Sequence, residues 1–148
     1  MMAAARFPSE SICFQMHDII LNQIEQRWND AAATWDSKAL SRIYTDDAVF
    51  FGLLPRLYVG RSDVEAYFRS YEGVLHGVTL SLIDQHIRSL GEGLFIAQGF
   101  GDIVNRHMDG TIVHNRVRTS FVVTETESAW LIALHHFSNV KPSESGTS

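Results

Sequence analysis

Residues 112–139 read IVHNRVRTSFVVTETESAWLIALHHFSN, and this stretch decides the fold. Ile112–Thr124 is long and rich in β-branched residues. Glu125-Thr126-Glu127-Ser128 interrupts it, and Trp130–Asn139 resumes an apolar run of strand length. Two such runs joined by a short polar turn form an antiparallel pair. Working back, Met108-Asp109-Gly110 is a turn and Leu94–Asn105 a further strand, in which Gly99 and Gly101 mark an expected bulge or bend. Gly91-Glu92-Gly93 turns again, and Val78–Leu90 alternates loosely as the first of four long strands.

Upstream the period changes. Cys13, Met16, Ile20, Ile24, Trp28, Ala31 and Trp35 recur every three or four residues, the stripe of a long amphipathic helix that Ser9 or Ser11 can cap. Asp36 can cap a short second helix through Lys38, Leu40 and Ile43. Ala48–Phe51 and Leu57–Val59 read as short strands around the turn Leu53-Leu54-Pro55-Arg56. Ser62, with Glu65 as capping-box partner, can open a third helix whose face carries Val64, Tyr67, Phe68 and Tyr71, and Gly73 can end it. Helices first and antiparallel strands after them argue an α+β domain with the helices on one face of the sheet. The expected boundaries are a poorly ordered leader at 1–10, one domain at 11–140 and a disordered tail at 141–148.

Composition narrows the function. The net charge of −5 and the lack of a Lys/Arg cluster argue against nucleic acid. A single cysteine, Cys13, excludes an intrachain disulfide and a Cys-rich zinc site. The leader has no apolar run of signal-peptide length and no stretch approaches a membrane span, so a cytoplasmic location without a membrane partner is expected by default. Adjacent strand residues point to opposite faces, so His135 and His136 cannot chelate one ion together, and no metal is expected.

Three segments carry a family resemblance. Ile43-Tyr44-Thr45-Asp46-Asp47-Ala48-Val49-Phe50 resembles the approach to the first strand of the nuclear transport factor 2-like superfamily. Val59-Gly60-Arg61-Ser62-Asp63-Val64 resembles its start of the third helix. Arg118–Val122 with Trp130–Ser138 resembles the ending characteristic of its SnoaL-like group, found also in the calcium/calmodulin-dependent protein kinase II association-domain group. The resemblance, over roughly residues 11 to 140, implies a cone-shaped α+β barrel of the cystatin-like kind. In it, three N-terminal helices pack on a strongly curved, mainly antiparallel sheet. It implies a hydrophobic pocket for a small molecule, no cofactor, and a homodimer through the sheet. It is silent on activity, because one fold hosts many chemistries.

Strand parity then selects candidate site residues. On the last strand Trp130, Ile132, Leu134 and His136 share a face, and their hydrophobicity turns it inward, leaving Leu131, Ala133, His135 and Phe137 as an apolar face suited to an interface. On the preceding strand hydrophobicity alone turns the odd set inward: Val113, Asn115, Val117, Thr119, Phe121 and Val123. The resemblance turns the even set inward, since the position matching Ser120 bears pocket-facing polar groups in relatives, and that choice is taken here. Arg118 and His136 then become the central pair. The guanidinium fork suits a carboxylate, from a ligand or from Asp84, Asp102 or Glu72, and the imidazole can move a proton near neutrality. Tyr44 can donate a hydrogen bond. Ser120, Asp102, Trp28, Phe51, Tyr58, Tyr67, Phe68 and Phe100 are expected to line the pocket. The ketosteroid isomerase mechanism does not transfer: Phe50-Phe51-Gly52-Leu53 lacks the acid that follows the first strand there, and Ser120 replaces the second acid. Three readings remain, one of them a purely structural adaptor whose contact surface is the apolar odd faces of the last two strands. Another is a cofactor-independent acid–base enzyme of isomerase, dehydratase or cyclase type on a small apolar or carboxylate-bearing substrate. The third is a non-catalytic ligand-binding or association domain.

Overall fold

The computed structural model describes the backbone of residues 2–141 and the side chains of residues 16–141. The expected tail therefore falls, from residue 142 on, outside the described residues, as does the side chain of Cys13. The elements run α1 (Met2–Ala32), α2 (Ser37–Ser41), β1 (Tyr44–Phe51), β2 (Tyr58–Val59), α3 (Arg61–Arg69), β3 (Leu75–Gly91), β4 (Leu94–His107), β5 (Ile112–Glu125) and β6 (Trp130–Asn139). One six-stranded sheet has the order β2-β1-β6-β5-β4-β3, antiparallel throughout except for the parallel pair β1–β6. This is the α+β architecture expected from the order of helices and strands.

The helices cover the inner face. α1 buries Ile20, Ile24 and Trp28 as its periodicity requires, together with Leu21 and Ala32, while Met16 is 44% exposed and His17 takes the buried place beside it. α1 begins before Ser9 and Ser11, so neither caps it. Trp35 lies beyond the helix, at a positive φ of 52°, and its indole N–H donates to Phe68 O at 2.8 Å. β3 is an edge strand, and α1 caps part of its free backbone. Asn29 donates to Leu80 O at 2.8 Å and accepts from Leu80 N at 2.7 Å, and Glu25 accepts from Leu82 N at 2.6 Å. Such cover satisfies an edge that would otherwise invite pairing with another chain. Asp36 caps α2 by accepting from Ala39 N. α3 differs from expectation: its N-cap is Gly60, Ser62 lies inside the first turn, and Glu65 pairs with Arg69 instead of closing a capping box.

Two residues of the resemblance motifs meet in space. The Arg61 guanidinium donates to the Tyr44 carbonyl from Nε (3.1 Å) and Nη2 (2.7 Å), and pairs through Nη1 with Asp46 at 2.5 Å. The start of α3 thus holds the start of β1, and with it Tyr44.

Bulges decide the faces of the sheet. The bulge expected at Gly99 or Gly101 lies instead on the facing strand, at Asp84-Gln85, where Asp84 has a φ of 52° and the β3–β4 register slips between Ile83 and His86. The glycine permits it from across the ladder: a Cβ on Gly99 would lie 2.5 Å from Asp84 O. A second bulge, at Ala133 in β6, separates the pairs Val123–Ile132 and Val122–Leu134. No helix among the described residues is long and apolar enough to cross a membrane.

Gly99→Ala must push backbone against backbone. We expect it to lower stability by about 1–3 kcal/mol, the usual cost of overpacking, read as a reduced urea midpoint at unchanged slope.

Candidate functional site

The bulge at Ala133 overturns the parity on which the sequence-based site rested. Up to Ile132 the even residues of β6 face the core. After the extra residue the odd ones do, so His135 lies opposite Phe121 and Phe137 opposite Thr119, all four buried. β5 presents its odd set inward, with Val117, Thr119, Phe121 and Val123 buried, as hydrophobicity alone required. The choice of the even set is therefore corrected.

Arg118, Ser120, His136 and Phe100 line a groove of about 570 Å³ on the outer face of the sheet, together with Asp84, Gln98 and Ser138. Within it Gln98 Nε2 donates to Ser120 Oγ at 2.8 Å. Among the described residues no carboxylate pairs with Arg118. Asp102 is on the outer face as well, held by Arg116 through Nε–Oδ1 at 2.5 Å and Nη2–Oδ2 at 3.3 Å. Phe51 is 39% exposed, and its ring meets that of His136. None of these six lines the interior.

The interior holds a cavity of about 250 Å³ between α1, α3 and the inner face of the sheet. Trp28, Tyr67 and Phe68 line it as expected. Tyr58 is buried one layer behind, edge-on to Tyr67. The other walls are Trp35, Phe50, Leu53, Tyr71, Leu75, Val78, Ile103 and Phe137. Asn105, His107 and Asn115 also line it, with the exposed residues Val74 and Val113. No Asp, Glu, Lys or Arg lines the cavity among the described residues. Gly52 leaves the room that Tyr67 needs. A Cβ there would fall 2.3 Å from the phenol ring, whose hydroxyl oxygen accepts from Leu53 N at 3.1 Å.

His135 is the polar group of the deep wall, and sequence reasoning missed it. Its ring stacks on Phe50 (centroids 4.2 Å apart), packs against Phe137 (3.9 Å) and meets the edge of Phe121. The Tyr44 hydroxyl reaches its Nδ1 at 2.9 Å. Tyr44 is wholly buried and does not itself line the cavity, so the expectation that its hydroxyl points there is also corrected. Nε2 of His135 has no hydrogen-bond partner among the described residues, and His135 is one of the residues that line the cavity. Burial, reinforced by the charge of neighbouring His136, holds the His135 pKa well below the ordinary imidazole value of 6.5, so the ring is neutral at pH 7. Burial raises the Tyr44 and Tyr67 phenols, which stay protonated. The indole N–H of Trp28 lies beside the Tyr44 hydroxyl without forming a well-shaped bond, and remains an unpartnered buried donor. Among the described residues no three His, Cys, Asp or Glu side chains are placed to hold a metal.

The SnoaL-like domain family matches residues 21–142. Among curated proteins none matches the sequence. Among solved structures, a Novosphingobium aromaticivorans protein named as a candidate scytalone dehydratase superposes with a TM-score of 0.77 at 8% identity, over 90% of this chain and 89% of that one. A Xanthomonas campestris protein named as a candidate calcium/calmodulin-dependent protein kinase II association domain gives 0.71 at 21%, over 78% and 82%. A nuclear transport factor 2-like protein with a cystatin-like fold, also from N. aromaticivorans, gives 0.70 at 13%, over 94% and 92%. At such identities the likeness is one of fold.

The buried imidazole carries a pH signature. Between its depressed folded value and the unfolded value of 6.5, the unfolded chain binds more protons, so stability rises with pH across that window. His17, also depressed by burial, acts in the same direction. We expect the urea midpoint to hold above about pH 6.5 and to fall as the pH drops below it, with a shallower fall in His135→Phe.

Proposed function

The chain belongs to the SnoaL-like domain family, and from that premise we propose that it binds one small, uncharged, largely apolar molecule inside the cone, in the cavity that ends at His135. One observation carries this reading: a 250 Å³ hollow walled largely by aromatic and aliphatic side chains, with no Asp, Glu, Lys or Arg in its lining among the described residues and the neutral imidazole of His135 in its wall. Pockets of this make-up hold apolar ligands and fix them through a few polar groups. An anionic ligand would lose its hydration without meeting a cation there. The carboxylate-bearing substrate considered for Arg118 is therefore set aside for this cavity.

Within this reading the activity is acid–base chemistry without a cofactor, of isomerase, dehydratase or cyclase type. His135 hydrogen-bonds the reacting oxygen, and Tyr44 supports it from behind. The names of fold relatives, one a candidate dehydratase and another, from Erwinia carotovora atroseptica, ketosteroid isomerase-like, accord with this class without fixing the reaction. A ligand carrier with the same cavity and no turnover is the alternative, and His135→Gln separates them. An enzyme loses turnover, whereas a carrier keeps binding within a few-fold.

A second copy of the chain covering the outer sheet face accompanies this proposal. Phe51 and Phe100 are exposed there, and Val122 and Leu134 are half-buried on that side. Exposed apolar patches of this kind mark interfaces.

Two outcomes test these readings. Val113→Trp narrows the cavity from an exposed rim position. It should weaken binding of an apolar aromatic probe, followed by Trp28 and Trp35 fluorescence, at least about tenfold, while Arg118→Ala and His136→Ala leave binding unchanged. Phe100→Asp should convert the dimer to a monomer in light scattering, and a wild-type monomer would remove the dimer reading.

A further inference from the structure

The position of one proton on His135 follows from the structure. The Tyr44 hydroxyl is completely buried, and among the described residues His135 Nδ1 is its sole hydrogen-bond partner. A phenol carries a proton that must be donated when no water can accept it. If Nδ1 bore the imidazole proton, it would donate to the phenol oxygen, and the phenol proton would have no acceptor among the described residues. If Nδ1 is bare, the phenol donates to it and its oxygen is left for the neighbouring indole N–H of Trp28. A neutral ring then carries its proton on Nε2, which has no protein partner among the described residues and belongs to a side chain that lines the cavity.

We infer that Tyr44 locks His135 as an Nε2–H donor, and that the cavity is thereby built for an uncharged ring compound carrying a ketone or aldehyde oxygen. The inference rests on the cavity reading above and adds the ligand's functional group. An acceptor oxygen completes the Nε2–H bond. An alcohol in the same place also brings an O–H. The groups packed around His135 are the rings of Phe50, Phe121 and Phe137, and Nδ1 is already occupied, so none of them accepts that O–H, which is left to Asn105, His107 or Asn115 elsewhere in the lining. A hydrocarbon leaves Nε2–H itself unpaired. The same arrangement assigns the roles. Resting His135 donates to a carbonyl and does not accept a proton from carbon. Tyr44 is a positioning residue that acts through the ring.

Two measurements test this separately. Long-range proton–nitrogen correlation spectra of the imidazole-labelled protein at neutral pH should show His135 protonated on Nε2 and bare on Nδ1, and a protonated Nδ1 overturns the inference whatever binds. Titration with 1-indanone, 1-indanol and indane should give the ketone about a tenfold advantage over indane, the worth of one neutral hydrogen bond in a dry site, with the alcohol weaker than the ketone. Equal affinity for all three overturns the ligand assignment while leaving the cavity reading intact. Failure of all three to bind counts against the cavity reading, and the spectra still decide the tautomer. Tyr44→Phe should release the lock, giving a mixture of tautomers and reducing the ketone advantage to within about threefold. An unchanged tautomer in a folded Tyr44→Phe protein would show that something other than the phenol sets it.

Discussion

One extra residue in the last strand governs what this protein presents to its interior. Side chains alternate along a strand, so a single inserted residue exchanges every position beyond it between the two faces. With the bulge at Ala133, Ile132 and His135 both look inward, although their spacing of three would put them on opposite sides of a regular strand. Without it His136 would enter the core and His135 would face solvent. The bond between Tyr44 and His135 and the stack of His135 on Phe50 both depend on that switch.

The remainder of the scaffold keeps the two partners of the buried bond in place. Tyr44 precedes the irregular part of β1, where the register against β6 slips between Tyr44 and Val49, so strand pairing alone fixes it weakly. Arg61 compensates by gripping the Tyr44 carbonyl with two N–H groups while Asp46 neutralises the guanidinium. A planar fork can satisfy both demands at once, and a lysine could not. On the far side, α1 is registered on the sheet by Asn29 and Glu25, whose side chains bond the edge of β3, and this sets the depth at which Trp28 enters the cavity.

Much of this order was legible in the sequence, and its failures have definite causes. The alternation of β5 already read correctly from hydrophobicity, because Val117, Phe121 and Val123 need burial and Arg116 and Arg118 avoid it. Overriding that signal with a family position for Ser120 moved the candidate site to the wrong face. β6 could not correct the error by itself. In WLIALHHF both phases are apolar, so neither an unbroken nor a bulged strand stands out, and Ala133 carries no glycine or proline to mark the break. The missing clue lay in pairing: once Phe121 and Thr119 are inside, their cross-strand partners His135 and Phe137 must be inside too. The aromatic wall of Trp28, Tyr67 and Phe68 was found because helical periodicity is not disturbed by bulges in the sheet. The capping box at Ser62 failed because Gly60 already supplies the helix start, and Glu65 is drawn to Arg69.

The division of charge between the two faces limits the chemistry available inside. Arg116, paired with Asp102, and Arg118 belong to the outer surface, and the cavity offers neutral donors such as those of Asn105, Asn115 and His135. In a dry site such donors are stronger than in water, because little solvent competes and the fixed dipoles need no reorganisation. They stabilise charge that develops partway on an oxygen, and they do not replace a counter-ion for a full negative charge. Protonating His135 to supply one would place a cation among phenylalanine rings, which its depressed pKa opposes. On the proposed reading, a reaction in this cavity takes a neutral ligand whose oxygen gains partial negative charge while the ring nitrogen keeps or shares its proton. Any base that removes a proton from carbon must come from the ligand, from water or from the polar groups lining the same cavity, His107, Asn105 and Asn115.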